Sequence, residues 1–146
     1  MPKRESIFEE GVTGAQKVAA FLSKAGVFYV GTTEENQPKI RAFSWYHYDE
    51  EKDQIVFSTG TFKNVFRQMQ ENPKIEIFAL IGGYFMRYDG TFKYLDDDSI
   101  RKQVGQDSPG MKKTYQENGW TFAPFCLENG HVEIRYSLDP VEEFDV

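Results

Sequence analysis

The stretch Gln54-Ile55-Val56-Phe57-Ser58-Thr59-Gly60-Thr61-Phe62-Lys63-Asn64-Val65-Phe66-Arg67-Gln68-Met69 changes its apolar period once, at Gly60. Gln54 to Thr59 reads as a β-strand. From Phe62 onward the apolar residues Phe62, Val65, Phe66 and Met69 fall at i, i+3, i+4 and i+7, which predicts a short amphipathic helix from about Thr61 to just before Pro73. A strand therefore runs straight into a helix start. Backbone N–H groups at such a start are unpaired and carry the positive end of the helix dipole, so Ser58, Thr59 and Gly60 beside it can cradle an anion. Lys63 opposes the dipole unless an anion is present. The alternative reading is that Thr61 caps the helix and Lys63 points into water.

Working outward, Thr13 to Ala25 carries Val18, Phe21 and Leu22 at helical spacing, with Gly26 placed as a left-handed cap. Val27 to Thr33 and Pro38 to Tyr48 read as two strands joined by a polar turn at Glu34 to Gln37. Asp49 to Asp53 is a solvated turn. Lys74 to Ile81 and Tyr84 to Tyr94 are two further strands around Gly82 and Gly83, with Asp89 and Gly90 marking a turn or bulge. Asp96 to Asn118 is polar and predicts two short helices about Pro109 and Gly110. Its Asp96-Asp97-Asp98 run reads as a helix start, where carboxylates complement the dipole, rather than as a cation site. Thr121 to Glu128 and His131 to Leu138 flank Asn129-Gly130, which favours a type I′ hairpin turn. About six strands and three or four helices suit a closed or split antiparallel barrel.

Arg41 lies in Lys39-Ile40-Arg41-Ala42-Phe43-Ser44. Alternation puts it on the face of Phe43 and Trp45, where a guanidinium needs an anion, unless this face is outward and the side chain solvated. The strand alone leaves both readings open.

The chain of 146 residues is 40% hydrophobic and 16% aromatic, enough for one buried core and too short for two ordinary domains, so a single domain over residues 1–146 is expected. A net charge of −6 disfavours nucleic acid and anionic membranes as partners, both of which are bound through basic surfaces. Met1 to Glu10 lacks the apolar core of a secretion signal, and no segment has the apolar length of a membrane span. Cys126 is the single cysteine and reads as a small buried hydrophobe, in keeping with a reducing, cytoplasmic setting. Two histidines, His47 and His131, and one cysteine make no metal-ligand spacing, and no nucleophile motif is present.

Val30-Gly31-Thr32-Thr33, Pro38, Arg41-Ala42-Phe43, Phe57-Ser58-Thr59, Lys63 and Asn72-Pro73-Lys74-Ile75-Glu76-Ile77, in that order and spacing, resemble the flavin mononucleotide (FMN) binding split barrels related to pyridoxamine 5′-phosphate oxidase. The resemblance implies a six-stranded antiparallel Greek-key split β-barrel with flanking short helices, working as a homodimer with FMN between the subunits. It implies that Arg41, Ser58, Thr59 and Lys63 hold the FMN phosphate, with Asn64 as a further donor. Ala42 and Phe43 would lie under the isoalloxazine ring, and Trp120 or Phe122 of the partner would approach it. The oxidase itself has a C-terminal arginine and histidine motif for pyridoxamine phosphate, whereas here His131-Val132-Glu133-Ile134-Arg135 departs from that pattern. The implied activity is therefore that of the short relatives, flavin reductases and nitroimidazole-resistance proteins: passing electrons from a donor such as NAD(P)H through FMN to a small acceptor. The other reading on the same barrel is a non-catalytic flavin or haem carrier or sensor.

Overall fold

The computed structural model describes residues 4–146; the first three residues of the charged N-terminal stretch lie outside it. In chain order the elements are α1 (Gly14–Ala25), β1 (Phe28–Glu34), β2 (Gln37–Phe43), β3 (Tyr46–Asp49), β4 (Gln54–Gly60), α2 (Asn64–Glu71), β5 (Lys74–Ile81), β6 (Tyr84–Tyr94), α3 (Asp98–Asp107), α4 (Pro109–Asn118), β7 (Phe122–Tyr136) and β8 (Asp139–Asp145). All strand pairs are antiparallel, in the order β2-β1-β5-β6-β7-β4-β3, with β8 also on β7.

The sheet's two ends, β2 and β3, are joined by only Ser44 and Trp45. Three Cα steps span at most about 11 Å, so the sheet must curl until its ends almost meet. The result is a barrel split along one seam. Alternating residues fill it: Phe28 and Val30 of β1, Ile55 and Phe57 of β4, Ile75, Ile77 and Ala79 of β5, Met86 and Tyr88 of β6, and Val132 and Ile134 of β7. α1 adds Ala15, Val18, Phe21 and Leu22 to this core, packing on β3, β4 and β5. Val56, from the other face of β4, joins Ile100 and Val104 of α3 in a second cluster, with Trp45 and Phe122 against it.

Four sequence expectations shift. The single strand over Pro38 to Tyr48 is two, because the chain must leave one sheet end and enter the other at Ser44–Trp45; Trp45 thereby leaves Arg41's face and packs under α3. The Asn129-Gly130 hairpin does not form. Only Asn129 takes a positive φ, 52°, where a type I′ turn needs two, and β7 runs through it with a bulge opposite Gly90. The chain turns later, at Ser137 (φ 53°), into β8, and the strands among the described residues number eight rather than six. Finally, α2 begins at Asn64, with Lys63 as its N-cap rather than in its first turn, and Thr61 does not cap it. The two-residue turn at Glu35 and Asn36, φ 48° and 66°, does take the type I′ form that joins β1 and β2. Thr13 caps α1 in a reciprocal box with Gln16, and Gly26 ends it at φ 79°, ψ −58°, outside the left-handed helical basin. Asp97 caps α3 through its carboxylate, as the helix-start reading expects.

One polar network fixes α2 to the barrel. Gln68, on the buried side of α2, accepts through Oε1 from Thr32 Oγ1 at 2.7 Å and from an Arg41 guanidinium nitrogen at 2.7 Å. Its amide donates to Glu34 at 3.0 Å, and Glu34 also pairs with Arg67, whose hydrogen bond, followed by that of Gln68, holds the carboxyl below its ordinary range. Buried donors that lose their acceptor pay their desolvation in full. Gln68→Leu, which keeps the bulk and removes these contacts, should destabilise the protein by about 1–3 kcal/mol. Urea unfolding monitored by circular dichroism checks this, and an unchanged midpoint would show that the network contributes no stability.

Candidate functional site

At the seam, the ends of β2 and β4 and the faces of α3 and α4 enclose a cleft of about 380 Å³. That is within the range of small-molecule sites, roughly 300–1,000 Å³. Its wall contains six of the residues singled out from sequence: Arg41, Ala42, Phe43, Ser58, Thr59 and Lys63. β2 and β4 lie five strands apart in hydrogen-bonded order, so only barrel closure brings them together. Because β2 pairs only with β1, alternate backbone N–H and C=O groups of Arg41 to Phe43 have no strand partner.

Arg41 points to the barrel side. Its guanidinium donates to the carbonyls of Val30 (3.1 Å) and Lys39 (3.3 Å), to Thr32 Oγ1 (2.8 Å) and to Gln68 Oε1 (2.7 Å). All four acceptors are neutral, so they orient the cation and leave its charge uncompensated. Burial lowers its pKa from the ordinary value, yet an arginine stays charged. The side chain of Lys63, an exposed residue of the cleft wall, has no hydrogen-bond or ion-pair partner among the described residues. Behind it the first N–H groups of α2 receive no side-chain cap.

Two hydroxyls are set into this wall. Ser58 Oγ donates to the Thr59 carbonyl at 3.2 Å, leaving its lone pairs free. Thr59 is 5% exposed, and its Oγ1 is buried without any hydrogen-bond partner. Buried hydroxyls are nearly always satisfied, so this unpaired one is the exception in the cleft wall. Tyr115 of α4 closes the cleft from above. A side chain on Gly60 would begin 2.7 Å from its hydroxyl, so the glycine lets the phenol reach the backbone next to Thr59. Burial pushes the Tyr115 phenol up, so it remains a neutral donor.

The remaining residues fall differently. Phe43 lines the cleft but sends its ring against Phe28 and Phe125. Asn64 is the exposed first residue of α2 and is not in the wall. Trp120 of the same chain is not in it either: it stacks on Phe62 beside a neighbouring hollow. Sequence reading missed Gln68 and Thr32, which hold Arg41, and Tyr115, Ser108 and Met111 from α4 and its cap. Gln68 was within reach, since it stands three residues from Val65 and next to Met69 on the apolar face of α2. Nothing local marks the α4 residues. A larger cavity, about 580 Å³, lies on the outer sheet face between Lys39, Lys74, Glu76 and Asp89. Its mixed charges and lack of an unpaired buried polar atom make it the weaker candidate.

The donor set of the seam cleft, two cations and buried or half-buried hydroxyls with no carboxylate, suits a phosphate monoester. Among the described residues no helix is long and apolar enough to cross a membrane. No curated protein matches the chain. The family profile described as pyridoxamine 5′-phosphate oxidase matches residues 15–119. Among solved structures, a NimC/NimA family protein from Clostridium acetobutylicum is 28% identical, with a TM-score of 0.79, over 92% of this chain and 94% of that one. A pyridoxamine 5′-phosphate oxidase-related, FMN-binding protein from Nostoc punctiforme is 17% identical, with a TM-score of 0.57, over 93% of this chain and 98% of that one. A haem-binding protein from Mycobacterium smegmatis is 13% identical, with a TM-score of 0.65, over 92% of this chain and 58% of that one. The profile runs from α1 to the end of α4 and so takes in β2, β4 and α2, the elements that build the cleft; the chain belongs to the pyridoxamine 5′-phosphate oxidase-related family of split β-barrels.

Proposed function

We propose that this protein is an FMN-dependent oxidoreductase, a single domain over residues 1–146 that acts in the cytoplasm and passes electrons from a reduced donor, NAD(P)H, to a small acceptor. One observation carries the cofactor: in a chain with 23 acidic and 17 basic residues, the seam cleft presents Arg41 and Lys63, no carboxylate, and a buried Thr59 hydroxyl without a partner. Lys63, the uncapped start of α2, Ser58 and Thr59 would hold the phosphate, with Arg41 adding charge from below and Tyr115 a neutral donor from above. The unpaired backbone of Ala42 and Phe43 would address the polar edge of the ring. Bound FMN would supply the capacity to accept and release electrons, which no side chain of the cleft has. The residues' own work is binding, orientation and exclusion of water.

Because the grip is on phosphate, FMN should bind at least about tenfold more tightly than riboflavin, which lacks it. Lys63→Ala should weaken FMN by a similar factor, leave riboflavin unchanged and keep turnover at saturating FMN, since a contact equal in ground and transition states adds affinity alone. Fluorescence titration and steady-state rates with NADPH and NADH measure these. Equal affinities for FMN and riboflavin would remove the phosphate assignment. Tight FMN binding without turnover would favour a carrier, and a Soret band in the purified protein would replace flavin by haem.

We further propose that two copies pair through the outer face of β1, β2 and β5. Tyr29, Ile40 and Leu80 stand 40%, 73% and 50% exposed there, more apolar surface than a lone barrel needs to show water. Ala42 is the link: it pairs with Tyr29 across the ladder and also lines the cleft, so a partner on this face would complete the cofactor site. Light scattering should give a dimer for the native protein and a monomer with weakened FMN binding for Ile40→Asp. A native monomer with FMN bound would overturn the shared site.

A further inference from the structure

A second hollow, of about 280 Å³, adjoins the seam cleft and shares its Tyr115 and Phe122 wall. It lies between α3, α4 and the start of β7. Arg101, Lys102 and Lys112 line it with Trp120, and no carboxylate does. Arg101 is engaged: it ion-pairs with Asp96 and Asp98 at 2.7 Å each and donates to the Phe122 carbonyl, which ties α3 to β7. Lys102 and Lys112 are exposed, and their side chains have no hydrogen-bond or ion-pair partner among the described residues. Two lysines without a carboxylate partner therefore border one hollow of an acidic protein and give it a local positive potential that attracts an anion.

The position of Lys112 is built into α3. Gly105 sits in that helix, where glycine is unfavourable, and a side chain on it would begin 3.1 Å from Lys112 Cδ and 3.4 Å from Cγ. Its bareness lets the Lys112 stem lie against α3, on the border of the hollow. Trp120 supplies the second element. Its ring stacks on Phe62 at 4.0 Å and 15°, and meets Tyr115 edge-on at 5.8 Å, yet it remains 38% exposed. Its plane is held from one side while part of the indole faces the hollow. A fixed aromatic surface beside free ammonium groups is the recognition chemistry of a nucleotide, with the base stacked and the phosphate paired.

We propose that this hollow receives the phosphorylated adenosine end of a nicotinamide dinucleotide, with the base at Trp120 and the phosphate monoester at Lys102 and Lys112. Two unit positive charges match the dianion of a 2′-phosphate, so the phosphorylated dinucleotide is preferred over the unphosphorylated one. The shared Tyr115–Phe122 wall, its rings stacked at 4.3 Å, then leads the rest of the molecule towards the seam cleft. The inference rests on the electron-transfer reading above and names where its donor docks.

The probe is 2′,5′-ADP, with adenosine as its phosphate-free control, titrated calorimetrically into the full-length protein with and without FMN. In both states 2′,5′-ADP should bind at least about tenfold more tightly than adenosine, the usual scale for a charge-assisted phosphate contact. Lys102→Ala with Lys112→Ala should abolish that difference and leave FMN affinity unchanged, and Trp120→Ala should weaken both probes alike. Binding of 2′,5′-ADP that is the same in the double lysine variant, or no binding to the native protein at millimolar concentration, would overturn the inference. Protein that binds FMN but not 2′,5′-ADP loses this site alone, whereas protein that binds 2′,5′-ADP but not FMN loses the flavin reading and keeps the nucleotide hollow.

Discussion

The two-residue link between β2 and β3 is the constraint on which the rest depends. Those strands are the ends of the sheet, yet Ser44 and Trp45 alone separate them, and a trans backbone cannot stretch further than about 11 Å over that interval. The sheet has to close, and closure gives its alternating residues a common interior in which Phe28, Phe57 and Phe125 pack ring against ring. The seam itself is not zipped into a ladder: β2 pairs with β1 and β3 with β4, but not with each other. Backbone groups along the seam thus stay available, and the cleft forms where they are.

Electrostatics then gives the seam its character. Arg41 points inward like any residue at its place in the alternation, and a guanidinium on that side would be costly without acceptors. Val30, Thr32, Lys39 and Gln68 supply them without supplying a negative charge. Acidic residues are instead drawn off elsewhere: Glu34 to Arg67, Glu76 to Arg87, Asp96 and Asp98 to Arg101. An acidic protein in this way keeps carboxylates out of one local cleft. The two hollows on either side of Tyr115 and Phe122 share this property, and a single aromatic wall separates them.

How much of this was legible in advance differs by the range of the interaction. The strand-to-helix switch at Gly60, the helix over Gly14–Ala25, the helix pair between Asp98 and Asn118, and the strands Lys74–Ile81 and Tyr84–Tyr94 could all be read from period and capping, because those signals act within one or two turns of chain. Arg41 and the Ser58 to Lys63 segment could be singled out for the same reason, as candidate anion-binding chemistry with a solvated Arg41 and a capping Thr61 as the open alternatives. The breaks that misled are those in which a distant partner overrides local preference. Asn129-Gly130 has the composition of a hairpin, but β6 pairs with β7 on both sides of it, through a bulge, and β8 takes up His131 to Tyr136, so strand pairing outweighs one favourable turn. Pro38 to Tyr48 alternates as one strand, but barrel closure divides it.

The sequence by itself determined the helix over Gly14–Ala25, the strand-to-helix switch at Gly60, the strands Lys74–Ile81 and Tyr84–Tyr94 and the helix pair after Asp96, since each follows from neighbours a few residues apart. Only the tertiary structure decided that Arg41 would be held by Thr32 and Gln68, that Thr59 would be left without a partner, and that α4 would set Tyr115 over Gly60. Those outcomes depend on contacts between residues 9 to 55 positions apart, and pairings at that separation are fixed by closure of the sheet, which no local pattern encodes.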